Sequence, residues 1–187
     1  MKRLLPLIFA LAFILPMSGQ TQFARFQGGM SFVGPNTASG YTISGTYQGR
    51  FLGIFRPGFG IEAFNMVSDS TGLLTHQSAL DANLTWGVAL KMIVRLQAGV
   101  GMFGRLWQKS FAADNSASQM YQINGVNYTL QPGTFANATY FTWGLMYYVN
   151  AGLDITHGVE LYLFYEGKRD MTKDFVNSMG LGVSFRM

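Results

Sequence analysis

The sequence contains two histidines, the residues best suited to move protons near neutral pH. His76 is followed two positions later by Ser78, and residues at positions i and i+2 share one face of a strand. A histidine can activate a serine nucleophile when a carboxylate orients its ring, and Asp69 is the candidate carboxylate. The alternative is that these are ordinary polar residues of a loop and of the strand that follows it. His157 lies in a short predicted turn, where a polar residue is common.

Charged residues recur on one face of the predicted strands and are nearly balanced in sign. Five arginines and one lysine stand against five carboxylates, all on the polar side of alternating segments. Buried charges are tolerated when they are paired, so the pattern predicts an ion-pair network inside a narrow lumen. A gated ion path or a proton relay is the functional alternative. The predicted network comprises Arg25, Arg50, Glu62, Asp81, Arg95, Arg105, Asp154, Glu160, Glu166, Lys168 and Arg186.

The sequence contains no pattern typical of cofactor, metal or nucleic-acid binding. It has no cysteine, no phosphate-binding loop and no spacing typical of metal ligands, so neither a cofactor nor a metal is expected. Charged residues make up 12% of the chain, whereas about 25% is usual in soluble domains. The net charge of +4 is small and includes two residues of the predicted leader, which argues against a nucleic-acid partner.

A two-residue period of apolar and polar residues runs along the chain from residue 23, and this is the period of a β-strand. It is clearest where Val94 and Leu96 alternate with Arg95 and Gln97. Short connections, including Arg56-Pro57-Gly58, alternate with longer ones, as in transmembrane barrels that have short periplasmic turns and long outer loops. The period predicts an all-β fold of eight antiparallel strands, at residues 23–33, 41–55, 59–68, 78–88, 93–107, 139–155, 159–168 and 176–187.

The apolar face of these strands must meet either lipid, in a membrane barrel, or a ligand, in a soluble lipocalin-like barrel. No strand charge lies on that face, and the polar face mixes glycines with bulky aromatics, which suits a packed narrow lumen. The sequence therefore favours an up-and-down transmembrane β-barrel, with a secreted soluble barrel that binds an apolar ligand as the alternative. The aromatic residues predicted to face lipid are Tyr41, Phe59, Trp86, Phe141, Trp143, Tyr147, Tyr165 and Phe185.

The longest predicted connection spans residues 108–138. Within it, residues 120–130 indicate a hairpin with Asn124-Gly125 at its tip, a strong hairpin pattern. We therefore expect a ribbon bearing exposed aromatics that extends the barrel beyond the membrane. Such a ribbon is either a rim without a partner or a site at which a protein partner pairs with a strand edge.

Residues 1–20 have the composition of a secretory signal peptide. Lys2 and Arg3 precede an apolar run from Leu4 to Pro16, and small residues follow near Ser18. We expect cleavage around residues 18–20 and export across the inner membrane. The barrel domain is then predicted to fill residues 21–187.

The leader, the eight strands, the loop asymmetry and the alternating segment Met179–Met187 together resemble the small OmpA/OmpX-like outer-membrane barrels over residues 22–187. The resemblance implies a place in the bacterial outer membrane, contact with its lipid, and recognition of the C-terminal strand by the barrel-insertion machinery. Such proteins typically end on an aromatic residue, whereas here Phe185 is in phase and the last residue is Met187. The family includes anchors, adhesins, assembly factors and enzymes, among them lipid-A acyl-chain enzymes that use His and Ser.

These patterns predict a non-enzymatic structural or interaction protein that acts through its extracellular loops. One alternative is an outer-leaflet enzyme that modifies lipid-A acyl chains with His76 and Ser78. The other is the soluble lipocalin-like barrel.

Overall fold

The structure, a computed structural model, describes residues 21–33, 38–50, 54–70, 73–112, 119–123, 126–130 and 135–187. These residues form a closed eight-stranded antiparallel barrel and a separate two-stranded ribbon. In these ranges no helix is long and apolar enough to cross a membrane. The predicted signal peptide, residues 1–20, lies outside the described residues and stays a prediction.

The strands follow one another around the barrel in chain order, and the last strand closes it by pairing with the first. The two ribbon strands lie in sequence between the fifth and sixth barrel strands and pair with each other. The eight-stranded all-β prediction is therefore confirmed. The strands are β1 (Gln22–Val33), β2 (Ala38–Gly49), β3 (Phe55–Ser70), β4 (Leu73–Lys91), β5 (Arg95–Ala112), β6 (Gln119–Ile123), β7 (Val126–Leu130), β8 (Phe135–Thr156), β9 (Val159–Asp170) and β10 (Phe175–Arg186).

The two ends of the barrel differ. We call the turn end the one at which β1 starts, β10 stops, and β2–β3, β4–β5 and β8–β9 connect. The opposite end is the loop end. At the turn end, β8 and β9 are joined by only two residues outside the strands, His157 and Gly158.

Side chains alternate between the lumen and the outer surface as the sequence period predicts. In β8, Thr142 and Met146 are buried while Phe141 and Leu145 are more than 60% exposed. The lumen is polar and charged, and the outer surface is an apolar belt, so the soluble alternative with an apolar interior is wrong. In the ladder that lines the lumen, Gly182 stands opposite Tyr162, because small residues make room for large rings in a narrow barrel.

The predicted turn at Arg56-Pro57-Gly58 is wrong. These residues belong to β3, where they pair with Gly87, Trp86 and Thr85 of β4. The last pair between β2 and β3 joins Gln48 to Gly58, so Pro57 has no partner residue on β2. Proline has no N–H to donate, and at this position β2 requires none. The connection instead runs from residue 50 to residue 54.

The predicted outer loops are also too long, because the strands extend beyond their predicted ends. The segment 69–77 is largely strand, since β3 extends to Ser70 and β4 begins at Leu73. β4, β5 and β8 have 19, 18 and 22 residues, whereas about 9–11 residues cross a bilayer when tilted. β1, β2, β9 and β10 have 12 residues each. The neighbouring strands β3, β4, β5 and β8 therefore form a wall that rises beyond the rest of the barrel at the loop end.

Candidate functional site

Four charged side chains meet in the middle of the lumen, contributed by β3, β4, β5 and β9. Lys168 Nζ contacts Glu62 and lies 3.1 Å from Asp81 Oδ2. Arg105 donates to both carboxylate oxygens of the same Asp81, from Nε to Oδ1 at 2.7 Å and from Nη2 to Oδ2 at 2.8 Å. Thr42 Oγ1 donates to Glu62 at 2.8 Å. The four charged side chains are at most 1% exposed, so each cation lies against carboxylates rather than water. We call this group the central cluster.

A second layer, nearer the turn end, surrounds Arg25. Its Nη1 donates to Gln48 at 3.2 Å and to Gln97 at 3.0 Å. The guanidinium also lies 3.9 Å from the centroid of the Tyr162 ring, a cation–π contact. The nearby carboxylate of Glu166 accepts a hydrogen bond of 2.6 Å from Gln27 Nε2 and does not pair with Arg25 in the described structure. Amides and an aromatic ring thus take the place of a carboxylate around Arg25.

The remaining predicted members lie at the turn end. Arg95 lies 2.6 Å from Glu160 Oε2 and 3.0 Å from Asp154 Oδ1. Arg50 and Arg186 are exposed there and line the mouth of the lumen. Glu166 is linked to the central cluster, because its Oε2 lies 3.9 Å from Lys168 Nζ. The predicted residues that form ion pairs therefore make two groups along the barrel axis, one around Lys168 and one around Arg95.

Several charged residues of the lumen were not among the predicted ones. Arg56 is 6% exposed and points inward, and Asp170 is 4% exposed and accepts a hydrogen bond of 3.1 Å from Trp107 Nε1. Lys109 lies 2.7 Å from Asp174 Oδ2 at the loop end. The two-residue period could have found them: Arg56 is in phase with Glu62, and Lys109 with Arg105. The predicted strands end before these residues, so the sequence predicts turns and loops where the structure has longer strands.

The loop end of the lumen is closed by apolar side chains. Phe64, Met66, Trp107 and Val176 are all at most 3% exposed and pack together with Ala38 and Ala79. The rings of Phe64 and Trp107 meet edge to face with centroids 5.3 Å apart. This apolar cluster lies above the central cluster, so the two groups fill consecutive sections of the lumen.

The candidate catalytic residues lie on the outer face. His76 and Ser78 both belong to β4, with His76 opposite Val67 and Ser110, and Ser78 opposite Asn65 and Gln108. Both side chains are half-buried and have the outward phase, as the sequence predicted, although His76 is in a strand and not in a loop. No hydrogen bond joins them in the described part of the chain. The side chain of Asp69 lies outside the described residues, and His157 is an exposed turn residue.

The eight aromatic residues predicted to face lipid all have the outward phase. Trp86 is half-buried and the other seven are 38–66% exposed. Tyr147 and Tyr165 lie side by side on neighbouring strands, with ring centroids 6.1 Å apart. These side chains belong to the apolar belt that surrounds the barrel.

The loop end of β8 has one unpaired edge. Its first residues pair with β5 from Phe135 opposite Ala112 onward, but pairing with β9 begins only at Gly144. The carbonyl of Trp143 accepts a hydrogen bond from Met171 N at 3.0 Å, so odd-numbered residues direct their backbone groups away from β5. In the described part of the chain, no strand pairs with the backbone groups that residues 135, 137, 139 and 141 present on that side. We call this stretch the β8 edge.

The ribbon predicted at residues 120–130 is present as β6 and β7, with Tyr121 opposite Tyr128 and Ile123 opposite Val126. The predicted tip, Asn124-Gly125, lies outside the described residues. Strand β5 ends at Ala112 and β8 begins at Phe135, so the ribbon emerges from the top of the raised wall.

Known structures share this architecture at low sequence identity. Neisserial surface protein A matches with a TM-score of 0.57 and 12% identity, covering 91% of this chain and 98% of that one. The attachment invasion locus protein Ail of Yersinia pestis matches with a TM-score of 0.56 and 10% identity, covering 90% and 99%. OprG of Pseudomonas aeruginosa gives 0.54 and 10%, covering 89% and 97%. This chain has the fold of the small eight-stranded outer-membrane β-barrels. No protein-family model and no curated protein matches its sequence.

The fold and the apolar belt together make the protein an integral outer-membrane β-barrel, as the sequence resemblance implied. In such barrels the short turns face the periplasm and the longer loops face outward. The turn end is therefore the periplasmic end, and the raised wall, the β8 edge and the ribbon lie at the extracellular end.

Proposed function

We propose that this outer-membrane barrel is a non-enzymatic interaction protein that binds an extended peptide segment of a partner along the β8 edge. The observation that carries the proposal is the β8 edge, where no strand of the described chain pairs with the outward-directed backbone groups of residues 135, 137, 139 and 141. An unpaired strand edge is a template for another strand, and peptide recognition by strand addition uses these groups.

The composition of the edge supports the same proposal. Natural edges are usually protected by charged residues, by proline or by a covering segment. Residues 135–142 contain neither a charged residue nor a proline, and they include Thr139, Tyr140 and Phe141, which favour strands. The edge also rises above Trp143, where lipid no longer requires every backbone group to be paired within the protein.

A barrel of similar fold supports binding at the cell surface in general terms. A structure of Ail was determined in complex with the heparin analogue sucrose octasulfate, with a TM-score of 0.54 and 12% identity to this chain. We propose strand addition rather than anion binding for this chain, because its extracellular edge lacks charged residues between 135 and 142.

The test compares Thr139→Pro with Thr139→Val. Thr139 N–H points away from β5, so proline removes one donor of the edge and leaves the β5 ladder bonds in place, while valine keeps the donor and the branched shape. Proteins in lipid nanodiscs are panned against a phage library of random peptides. We expect the wild type and Thr139→Val to enrich strand-forming peptides, and Thr139→Pro to lose at least about tenfold in affinity for them.

Hydrogen exchange provides the second readout. Amides of residues 137, 139 and 141 should exchange rapidly in the free protein and slow when an enriched peptide binds, whereas those of residues 138 and 140 should be slow in both states. Equal enrichment by all three proteins, or binding without protection of the odd-numbered amides, would refute strand addition at this edge.

The enzyme alternative has a separate test. His76 and Ser78 are not hydrogen-bonded to each other in the described structure, and our proposal gives them no catalytic role. We expect His76→Ala and Ser78→Ala to leave the acylation of lipid A unchanged, as measured by mass spectrometry of lipid A from cells that express each variant. A change in acyl-chain number that depends on the wild-type protein and disappears in both variants would establish the enzyme instead.

The partners implied at the membrane are proposals of the same kind. The apolar belt contacts outer-membrane lipid, and β10, which carries the outward-facing Phe185, is the strand proposed to be recognised by the barrel-insertion machinery.

A further inference from the structure

The periplasmic end of the lumen contains a cavity of about 630 Å³ that opens at the turn end. Its wall includes Phe23 and Ser184 on the two strands that close the barrel, Glu160 beside Ser184 on β9, and Ala89 on β4. Above it lies the layer in which Arg25 contacts Gln48 and Gln97. The cavity is therefore a pocket in the floor of the barrel, and its volume lies within the range of small-molecule sites.

The charges that line this cavity are strongly unbalanced. Five cationic side chains line it, against two carboxylates. Both carboxylates are already used, because Asp154 contacts Lys91 and Arg95, and Glu160 contacts Arg95. No acidic side chain of the described residues lies within ion-pair distance of Arg56 or Arg186. The five cationic residues are Arg50, Arg56, Lys91, Arg95 and Arg186.

Arg56 is the residue for which this imbalance matters most. Its side chain is 6% exposed, and its Nη1 atom is buried without a hydrogen-bond partner among the described residues. The guanidinium lies 4.7 Å from the centroid of the Phe23 ring, and this cation–π contact supplies no hydrogen-bond acceptor for Nη1. A buried charge in such surroundings is stabilised when an anion pairs with it.

We propose that this periplasmic cavity binds the phosphate group of an organic phosphate, with Arg56 as the residue that pairs with it inside the barrel. The planar fork of a guanidinium matches two oxygens of a phosphate. Arg56 and Arg186, which lie within ion-pair distance of no acidic side chain of the described residues, fit an anion with more than one charge or with several charged oxygens. The cavity is larger than a phosphate ion, and Phe23, Ile54 and Val159 supply apolar walls for the organic part.

Two sources carry this chemistry at the periplasmic face: a soluble phosphate monoester and the headgroup of an anionic phospholipid. The purified full-length protein, folded in a zwitterionic detergent, is titrated with glycerol phosphate in a calorimeter. In a second arm, the protein is exchanged from phosphatidylglycerol vesicles into detergent, and retained lipid is counted by native mass spectrometry. A calorimetric response identifies the soluble phosphate, and a lipid that stays bound identifies the headgroup.

The deciding variant is Arg56→Gln, with Lys173→Gln as its matched control. Lys173 is exposed in the extracellular turn after β9, so its substitution removes the same charge far from the cavity. We expect one equivalent bound by the wild type and by Lys173→Gln, and affinity or lipid retention lower by at least about tenfold in Arg56→Gln. The heat-dependent gel shift reports whether each variant is folded.

If Arg56→Gln does not fold, Arg186→Gln, on the exposed rim, tests phosphate binding in its place. It should weaken binding by about threefold, because a rim charge is screened more than a buried one. The proposal is overturned if the wild type binds in neither arm. It is also overturned if folded Arg56→Gln binds as tightly as the wild type. If Arg56→Gln does not fold, the same result for Arg186→Gln overturns it.

Discussion

At the scale of single residues, Lys168 shows how this lumen tolerates charge. It lies between Glu62 and Asp81, and its side chain is 1% exposed. Asp81 keeps Arg105 as a second partner, but Glu62 has only Lys168 as a cationic partner among the described residues. Removal of one partner of a buried pair leaves an uncompensated charge, which is more destabilising than removal of both.

We therefore expect Lys168→Met to lower the free energy of unfolding by about 3–5 kcal/mol. The control is Lys91→Met, because Lys91 pairs with Asp154 but its side chain is 71% exposed, and exposed pairs contribute about 0–1 kcal/mol. The double variant Glu62→Gln, Lys168→Met should recover part of the loss. Urea titrations in lipid vesicles, followed by tryptophan fluorescence, measure all three. Equal losses for the Lys168 and Lys91 variants would show that the central cluster does not stabilise the barrel.

At the scale of strands, the sequence predicts which face each residue occupies but not where each strand ends. Inside the membrane, lipid and lumen impose opposite demands on successive residues, so the period is clear, as in residues 93–107. The run Thr75–Ser78 is polar at every position, so its sequence has no apolar–polar period, although its backbone continues the ladder. The sequence therefore predicts a loop at His76, where the structure has a strand. The contacts of Lys168 with Asp81 were also unpredictable, because strand phase does not specify which inward residues meet across a lumen.

The ribbon formed by β6 and β7 should be separable from the barrel. Its strands pair with each other in the described structure, while Ala112 and Phe135, which flank it, are themselves ladder partners. A connection of about four residues is sufficient to join two paired strands. We expect replacement of residues 114–133 by a short Gly-Ser linker to change the free energy of unfolding by less than about 0.5 kcal/mol.

The same deletion separates the two extracellular candidates for partner binding. It leaves the β8 edge in place, so peptides selected by strand addition should still bind the shortened protein. Loss of the heat-dependent gel shift would show that the ribbon is required for folding, and loss of peptide binding in a folded protein would move the partner site from the edge to the ribbon.

At the scale of the whole molecule, four sections follow one another along the axis. From the extracellular to the periplasmic end they are the apolar cluster with Trp107, the central cluster with Lys168, the layer around Arg25 and the cationic cavity. An eight-stranded barrel is just wide enough for side chains to fill its interior. The molecule thus has separate surfaces for the two sides of the membrane, with a filled section between them.

This arrangement predicts that the protein does not conduct ions, in contrast to the gated ion path that the balanced charges also allowed. In planar bilayers we expect no stepwise conductance from the wild type or from Trp143→Ala, which removes a lipid-facing tryptophan that is 46% exposed. The triple variant Phe64→Ala, Arg105→Ala, Trp107→Ala removes side chains that are at most 3% exposed and should open a water-filled path with measurable steps. Because Arg105 also pairs with Asp81, the gel shift must first show that this variant is folded. Stepwise currents from the wild type that vanish in Lys168→Met would instead mean that ions pass through the central cluster.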